Sequence, residues 1–247
     1  LLFVLVGPQR GTAQPAAESA ANPFAAYLAA DDAAYAYEVI HTLEGAGVTT
    51  HVLRMTSQQW LTKERVETPT WWHWLTIVVP DAPAAAAHDT GLLWIGGGTR
   101  DDAAPQGAPA FLVDAARRTN TVVAHLHNVP FQPLRFAGDP ERPRYEDALI
   151  AYGWRQFLEG GARDADARWL ARLPMTKAAM RAMDTVTAYA RAEAALNVNH
   201  FVVAGASKRG WTTWTTGIFD DRVVALVPVV IDLLNMKPSF EHHWRAY

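Results

Sequence analysis

Apolar positions along this chain recur first with period two and later with helical spacing, and the order of these changes outlines a fold. Residues 37–43 and 49–55 are strand-like runs separated by Glu44-Gly45-Ala46-Gly47, a hairpin signal. A third strand spans 74–79 and ends at Pro80-Asp81-Ala82-Pro83; a fourth, 92–95, opens into Gly96-Gly97-Gly98-Thr99. Helical spacing follows over 109–118, with Pro109 suited to the first turn, and then a Val-rich fifth strand over 121–126. Residues 144–173, rich in Trp, Arg and Asp, read as a helical insert. Thr176 is placed to cap a helix running to about residue 196, with Met180, Met183, Val186 and Ala190 on one face. Residues 201–204 form a short strand, and Trp211, Trp214 and Ile218 an apolar stripe on the helix after it. The run 223–231 is nearly all apolar, as expected of a strand covered on both faces. An antiparallel start followed by alternating strands and helices predicts an α/β fold with a mostly parallel, doubly wound sheet.

Composition narrows the classes. With 247 residues, half of them apolar, the chain can bury the core of one large domain, expected over 22–247. A net charge of −3 with no basic run implies neither nucleic acid nor an anionic lipid surface as partner. The lack of cysteine excludes thiol catalysis, disulfide scaffolds and zinc ribbons. At the start, Leu1-Leu2-Phe3-Val4-Leu5-Val6 is followed by Gly7, Pro8 and small residues over 13–21. This reads as a signal-peptide remnant with its cleavage zone, so a secreted or periplasmic protein is expected; the alternative is a buried N-terminal strand. The stretch is too short to span a bilayer.

The candidate chemistry lies in His200-Phe-Val-Val-Ala-Gly-Ala-Ser207-Lys-Arg-Gly-Trp211. A short strand meeting small residues, a serine and a helix is the layout of a nucleophile elbow. The common form is Gly-x-Ser-x-Gly; here Arg209 stands at the last glycine's position and Gly210 follows it. The reading makes Ser207 the nucleophile, with the backbone N–H of Lys208 as one oxyanion donor and an amide at Gly98, or alternatively Thr99, as the second. Asp232, directly after the last apolar run, is a candidate acid or else a strand-end cap. His242 and His243 complete a formal Ser-Asp-His order but read better as part of a surface helix. Lys208 and Arg209 read either as a clamp for an acidic substrate or as solvated side chains. His125 and His127 alternate on one strand, which two metal ligands could use, yet no third ligand has matching spacing and core histidines are the commoner outcome. The glycine triplet lacks the Gly-Lys-Ser/Thr of a phosphate loop. No cofactor is called for. Trp154 and Trp169, in the insert, are the tryptophans best placed for substrate contact.

Two stretches carry a family resemblance: Gly205-Ala-Ser-Lys-Arg-Gly-Trp-Thr-Thr-Trp214, and Val227-Pro-Val-Val-Ile-Asp-Leu-Leu-Asn-Met-Lys-Pro-Ser-Phe-Glu-His-His-Trp244. Together with Asn128-Val-Pro-Phe-Gln132, they resemble the PhoPQ-activated pathogenicity-related proteins, a family that includes autocrine proliferation repressors of amoebae. The resemblance implies an exported protein of α/β-hydrolase type, linked in bacteria to resistance against cationic peptides. It supplies no substrate. Family members are longer, and their acid and histidine would fall beyond Tyr247, so this chain is expected to be an N-terminal piece with little turnover of its own. Two functions follow as expectations. One is a serine hydrolase acting on an ester or amide in a small molecule or peptide; the other is a secreted binding or signalling protein on a degenerate hydrolase fold.

Overall fold

The hairpin predicted near Gly45 forms from longer strands than the pattern marks. In the computed structural model, which describes residues 22–81, 89–231 and 235–246, β1 (Ala36–Gly45) and β2 (Val48–Gln59) pair antiparallel across Ala46-Gly47, where Gly47 takes φ +79°. The signal-peptide expectation for 1–21 and the candidate acid Asp232 lie outside the described residues. Strand β3 (Thr70–Pro80) continues the meander, and β4 (Thr90–Ile95) and β5 (Val123–Leu126) are joined through helix α2 (Ala110–Thr119). A short helix α1 (Pro23–Ala29) precedes all of these.

Further along are β6 (Leu134–Phe136), β7 (Asp139–Arg144), α3 (Glu146–Glu159), a 3-10 turn (Asp164–Trp169) and α4 (Arg172–Ala194). The chain closes with β8 (His200–Ala206), α5 (Lys208–Phe219), β9 (Val223–Val229) and α6 (Met236–Ala246). The main sheet has the order β1-β2-β3-β5-β4-β8-β9. It is antiparallel from β1 to β5 and parallel from β5 to β9. This is a mixed, mostly parallel α/β-hydrolase sheet with the antiparallel start that the sequence predicts.

Side chains along the central strands alternate between two cores. Leu53, Met55, Leu75, Ile77, Ala124 and Leu126 join the larger one, which α4 covers with Ala178, Ala182, Met183 and Val186. Val48, Val78 and Val123 point to the other face, where α2 contributes Leu112 and Ala116. Among the described residues, no helix is long and apolar enough to cross a membrane.

Three expectations need correction, and one hairpin was not expected. Helix α4 begins at Arg172, not at a Thr176 cap: Pro174 is tolerated in a first turn because its missing N–H has no intrahelical acceptor there. Thr176 is instead fully buried, its hydroxyl 2.6 Å from that of Thr215. Helix α5 buries Gly210, Thr212, Thr213 and Thr216, while the expected apolar stripe is half-buried at Trp211 and Trp214 and 68% exposed at Ile218. The threonines can be buried because their hydroxyls donate to carbonyls one turn back: Thr212 to Lys208, Thr213 to Arg209 and Thr216 to Thr212. Strand β9 is not covered on both faces. It is the edge of the described sheet, and Val224 and Val227 are exposed. Finally, the β6–β7 hairpin carries no strand signal, since Pro140 and Pro143 with their charged neighbours read as loop; prolines of this kind suit an edge hairpin.

Candidate active site

Ser207 sits between β8 and α5 at φ +56°, ψ −120°, a conformation that residues with a Cβ avoid. Its N–H donates to the Val229 carbonyl at the end of β9 (2.9 Å), and its own carbonyl accepts the Trp211 N–H (3.1 Å). The strained residue is thus pinned on both sides. Two glycines make the turn possible. A Cβ on Gly205 would stand 2.7 Å from the Arg209 carbonyl oxygen. A Cβ on Gly210 would stand 2.4 Å from Ile231 Cγ2 and 3.0 Å from the Gly205 carbonyl oxygen. The close approach that the final glycine of Gly-x-Ser-x-Gly usually permits is therefore made one residue later, by Gly210, and position 209 is released for a large side chain.

Strand β4 runs parallel to β8 with Ile95 opposite Gly205, so Gly96-Gly97-Gly98 and Ser207 leave the same end of the sheet side by side. Gly98 has φ +126°, and a Cβ there would lie 2.8 Å from both Asn128 Oδ1 and Asp102 Oδ2. The two alternatives for the second donor differ. The Thr99 N–H donates to Asp102 Oδ2 (2.8 Å) and its hydroxyl to Asp102 Oδ1 (2.7 Å), so that amide is occupied. The Gly98 N–H and the Lys208 N–H have no acceptor among the described residues. Lys208 opens α5, where the first amides have no intrahelical partner and the helix dipole is positive. Both amides are thus left without an acceptor among the described residues at the end of the sheet where Ser207 emerges.

The cations after Ser207 are not solvated, as one reading of them had it. Lys208 Nζ is 3.0 Å from Asp147 Oδ1 and 3.5 Å from Glu146 Oε2. The Arg209 guanidinium is bidentate on Glu146, with Nη2 2.5 Å from Oε1 and Nη1 3.1 Å from Oε2. Nor are they an open clamp for an acidic substrate, since both charges already face carboxylates. Beneath them Arg172, buried against the Trp211 ring at 4.1 Å, donates to the Lys208 carbonyl (2.7 Å). This cluster was not legible beforehand; its one trace in the sequence is a charged residue where a glycine is usual.

The His125 and His127 rings lie with centroids 3.7 Å apart and planes tilted by 37° at the end of β5. Burial, and then its neighbour His127, lowers the pKa of His125 to about 3; burial lowers that of His127 to about 4, against the pull of Asp102. Both are partly buried and held neutral. Among the described residues, no cluster of three or more His, Asp or Glu could hold a metal ion. His242 and His243 are exposed on α6, where His243 Nδ1 donates to the Ser239 carbonyl of its own helix (2.8 Å).

The two insert tryptophans part ways. Trp169 packs on Phe136 and Tyr152 under the Arg65 guanidinium and with Tyr152 lines a separate polar cleft of about 380 Å³. Trp154 lies edge-on to Trp211 and with it lines a cleft of about 650 Å³, together with Ile150, Leu158 and Phe240. Trp211 is one helical turn beyond Ser207, and Asp147 at the rim is the partner of Lys208.

The chain is similar to several known proteins. The family described as "PhoPQ-activated pathogenicity-related protein" matches residues 24–247. Autocrine proliferation repressor protein A of Dictyostelium discoideum is 37% identical over 227 residues, 92% of this chain; the chain spans 44% of that relative's length. Among solved structures, an acetyl xylan esterase from Paenibacillus sp. R4 superposes with a TM-score of 0.56 at 14% identity, over 89% of this chain and 60% of the esterase. A glucuronoyl esterase from Solibacter usitatus gives 0.47 at 17% identity, over 83% of this chain and 56% of that one.

Proposed function

The chain belongs to the PhoPQ-activated pathogenicity-related protein family, and from its hydrolase-like fold we propose that the full-length protein is an exported serine hydrolase of the ester or amide class. The observation that carries this reading is the φ +56°, ψ −120° conformation of Ser207, a costly geometry at the point where β8 turns into α5. In the proposed reaction, Ser207 Oγ bonds to the substrate carbonyl carbon while its proton passes to a general base. The carbonyl oxygen, now an oxyanion, receives the Lys208 and Gly98 N–H groups, and each such donor is worth about 3 kcal/mol of transition-state stabilisation. Collapse breaks the bond to the alcohol or amine, which leaves with the proton; water then releases the acid and restores the serine. The cleft lined by Trp154 and Trp211 suits an apolar acyl or leaving group. Export is supported by the apolar stretch at 1–6 and the small residues after it.

A second reading, a secreted signalling protein on the same scaffold, draws on the name of the Dictyostelium relative, an autocrine proliferation repressor. One experiment separates the two. Full-length protein is treated with a fluorophosphonate probe and digested, and the 200–211 region is sequenced by mass spectrometry. The hydrolase reading expects an adduct on Ser207 that disappears in Ser207→Ala. An unlabelled wild type, or labelling that survives in Ser207→Ala, sinks it and leaves the signalling reading.

A further inference from the structure

The elbow and the glycine loop come from separate strands, and a polar circuit ties them together. Arg209, two residues after Ser207, does not point to solvent: its side chain is 13% exposed and turns back over the glycine loop. A Cβ on Gly97 would stand 2.7 Å from Arg209 Nη2, so Gly97 leaves the space that the guanidinium fills. Arg209 Nε donates to the Val129 carbonyl (2.5 Å), and its two terminal nitrogens grip Glu146. Glu146 Oε1 also accepts from Gln132 Nε2 (2.9 Å), and the same Nε2 donates to the Gly98 carbonyl (3.0 Å). The circuit therefore runs from the elbow helix through Arg209, Glu146 and Gln132 to the peptide next to the proposed oxyanion donor.

Two features show that the circuit is built rather than incidental. Glu146 holds φ +43°, which residues with a Cβ avoid, and its N–H is fixed by Gln132 Oε1 at 2.7 Å. Burial alone would raise the pKa of Glu146, but hydrogen bonds from Arg209 and Gln132, with the charges of Arg209 and Lys208, outweigh it and hold the carboxyl below its usual range. A half-buried ion pair adds little net stability, so its worth lies in geometry: a planar guanidinium on a carboxylate fixes both partners in distance and angle.

We infer that Arg209, Glu146 and Gln132 are positioning residues that hold the Gly97-Gly98 loop at a fixed separation from Ser207, and that this is why the elbow carries arginine where glycine is usual. The inference rests on the reading of Ser207 as nucleophile for its catalytic half, and on structure alone for its mechanical half. The test uses full-length protein with two variants. Arg209→Lys keeps the charge but loses the planar fork, and Gln132→Leu keeps the size but cuts both arms. Amide exchange is followed over 96–102 and 128–132, where the N–H groups of Thr99, Arg100, Asn128 and Val129 are bonded. Fluorophosphonate labelling is followed in parallel.

Both variants are expected to exchange faster in those two segments, with β2 and β3 unchanged. Their maximal labelling rate is expected to fall by about tenfold to a hundredfold at unchanged half-saturating probe, the scale of a misplacement near 1 Å. Exchange equal to wild type in both variants overturns the brace. Faster exchange with undiminished labelling overturns its link to reactivity. If the wild type itself is unlabelled, the nucleophile reading fails, and the exchange result still decides whether the brace exists.

Discussion

Ser207 occupies a backbone conformation costing on the order of 1–3 kcal/mol, and each neighbour that sustains it can be named. The Val229 carbonyl holds its N–H, and Gly205 and Gly210 remove the two Cβ atoms that would collide with the turn. Gly205→Ala places a methyl 2.7 Å from the Arg209 carbonyl oxygen, a backbone atom that cannot swing aside. The substitution is expected to cost about 1–3 kcal/mol, as overpacking does elsewhere; urea titration measures it, and a stability equal to wild type would show that the turn is looser than described. At this scale the turn could be read from the sequence, because a short apolar strand meeting small residues, a serine and a helix marks a tight strand-to-helix turn. Arg209 could not. A lone arginine at a helix start carries no sign that it folds back over Gly97, since that depends on Gln132 from the loop after β5 and Glu146 from the start of α3, both more than fifty residues earlier in the chain.

Among the elements, the periodic patterns held at β2, β3 and α2. They misled at α5 and β9. On α5, close approach to β8 and β9 favours small side chains over large ones, so threonines with locally satisfied hydroxyls took the inner face and displaced the Trp–Ile stripe. On β9, an apolar run marks a strand but does not say how many neighbours it has. The strands β3 and β5 carry a consequence of their own. His73, fully buried, has its pKa lowered to about 4 by burial; its Nδ1 donates to the His127 carbonyl (3.0 Å) and its Nε2 accepts from Ser57 (3.0 Å). His125 and His127 are lowered to about 3 and about 4. All three are neutral in the folded chain while the unfolded chain takes up protons below about 6.5. The unfolded state therefore binds more protons between pH 6.5 and 4, and stability is present in full above that window and lost as pH falls through it. Denaturation midpoints from pH 8 to 4 should be flat above 7 and fall below 6.5. His125→Leu, which removes one of the three groups, should make the fall shallower; an equal slope would mean that these histidines titrate normally in the folded protein.

Over the whole molecule, the order β1-β2-β3-β5-β4-β8-β9 explains why residues far apart in sequence meet. The β4–α2–β5 excursion places β4 directly beside β8, so that the glycine triplet and Ser207 emerge together. The α/β class and the antiparallel start were legible because hairpin signals and alternating strand and helix patterns are local; the pairing of β4 with β8 is not local. The chain spans less than half of its Dictyostelium relative, so activity is a property to be sought in the full-length protein. The central claim is that Ser207 forms an acyl-enzyme. The most direct measurement is rapid-quench mass spectrometry of full-length protein mixed with an activated aryl ester. A burst of aryl alcohol is expected, matched by a transient acyl mass on the peptide containing Ser207 that decays as hydrolysis proceeds. Ester turnover with no acyl mass at Ser207, or with the same burst in Ser207→Ala, would contradict it.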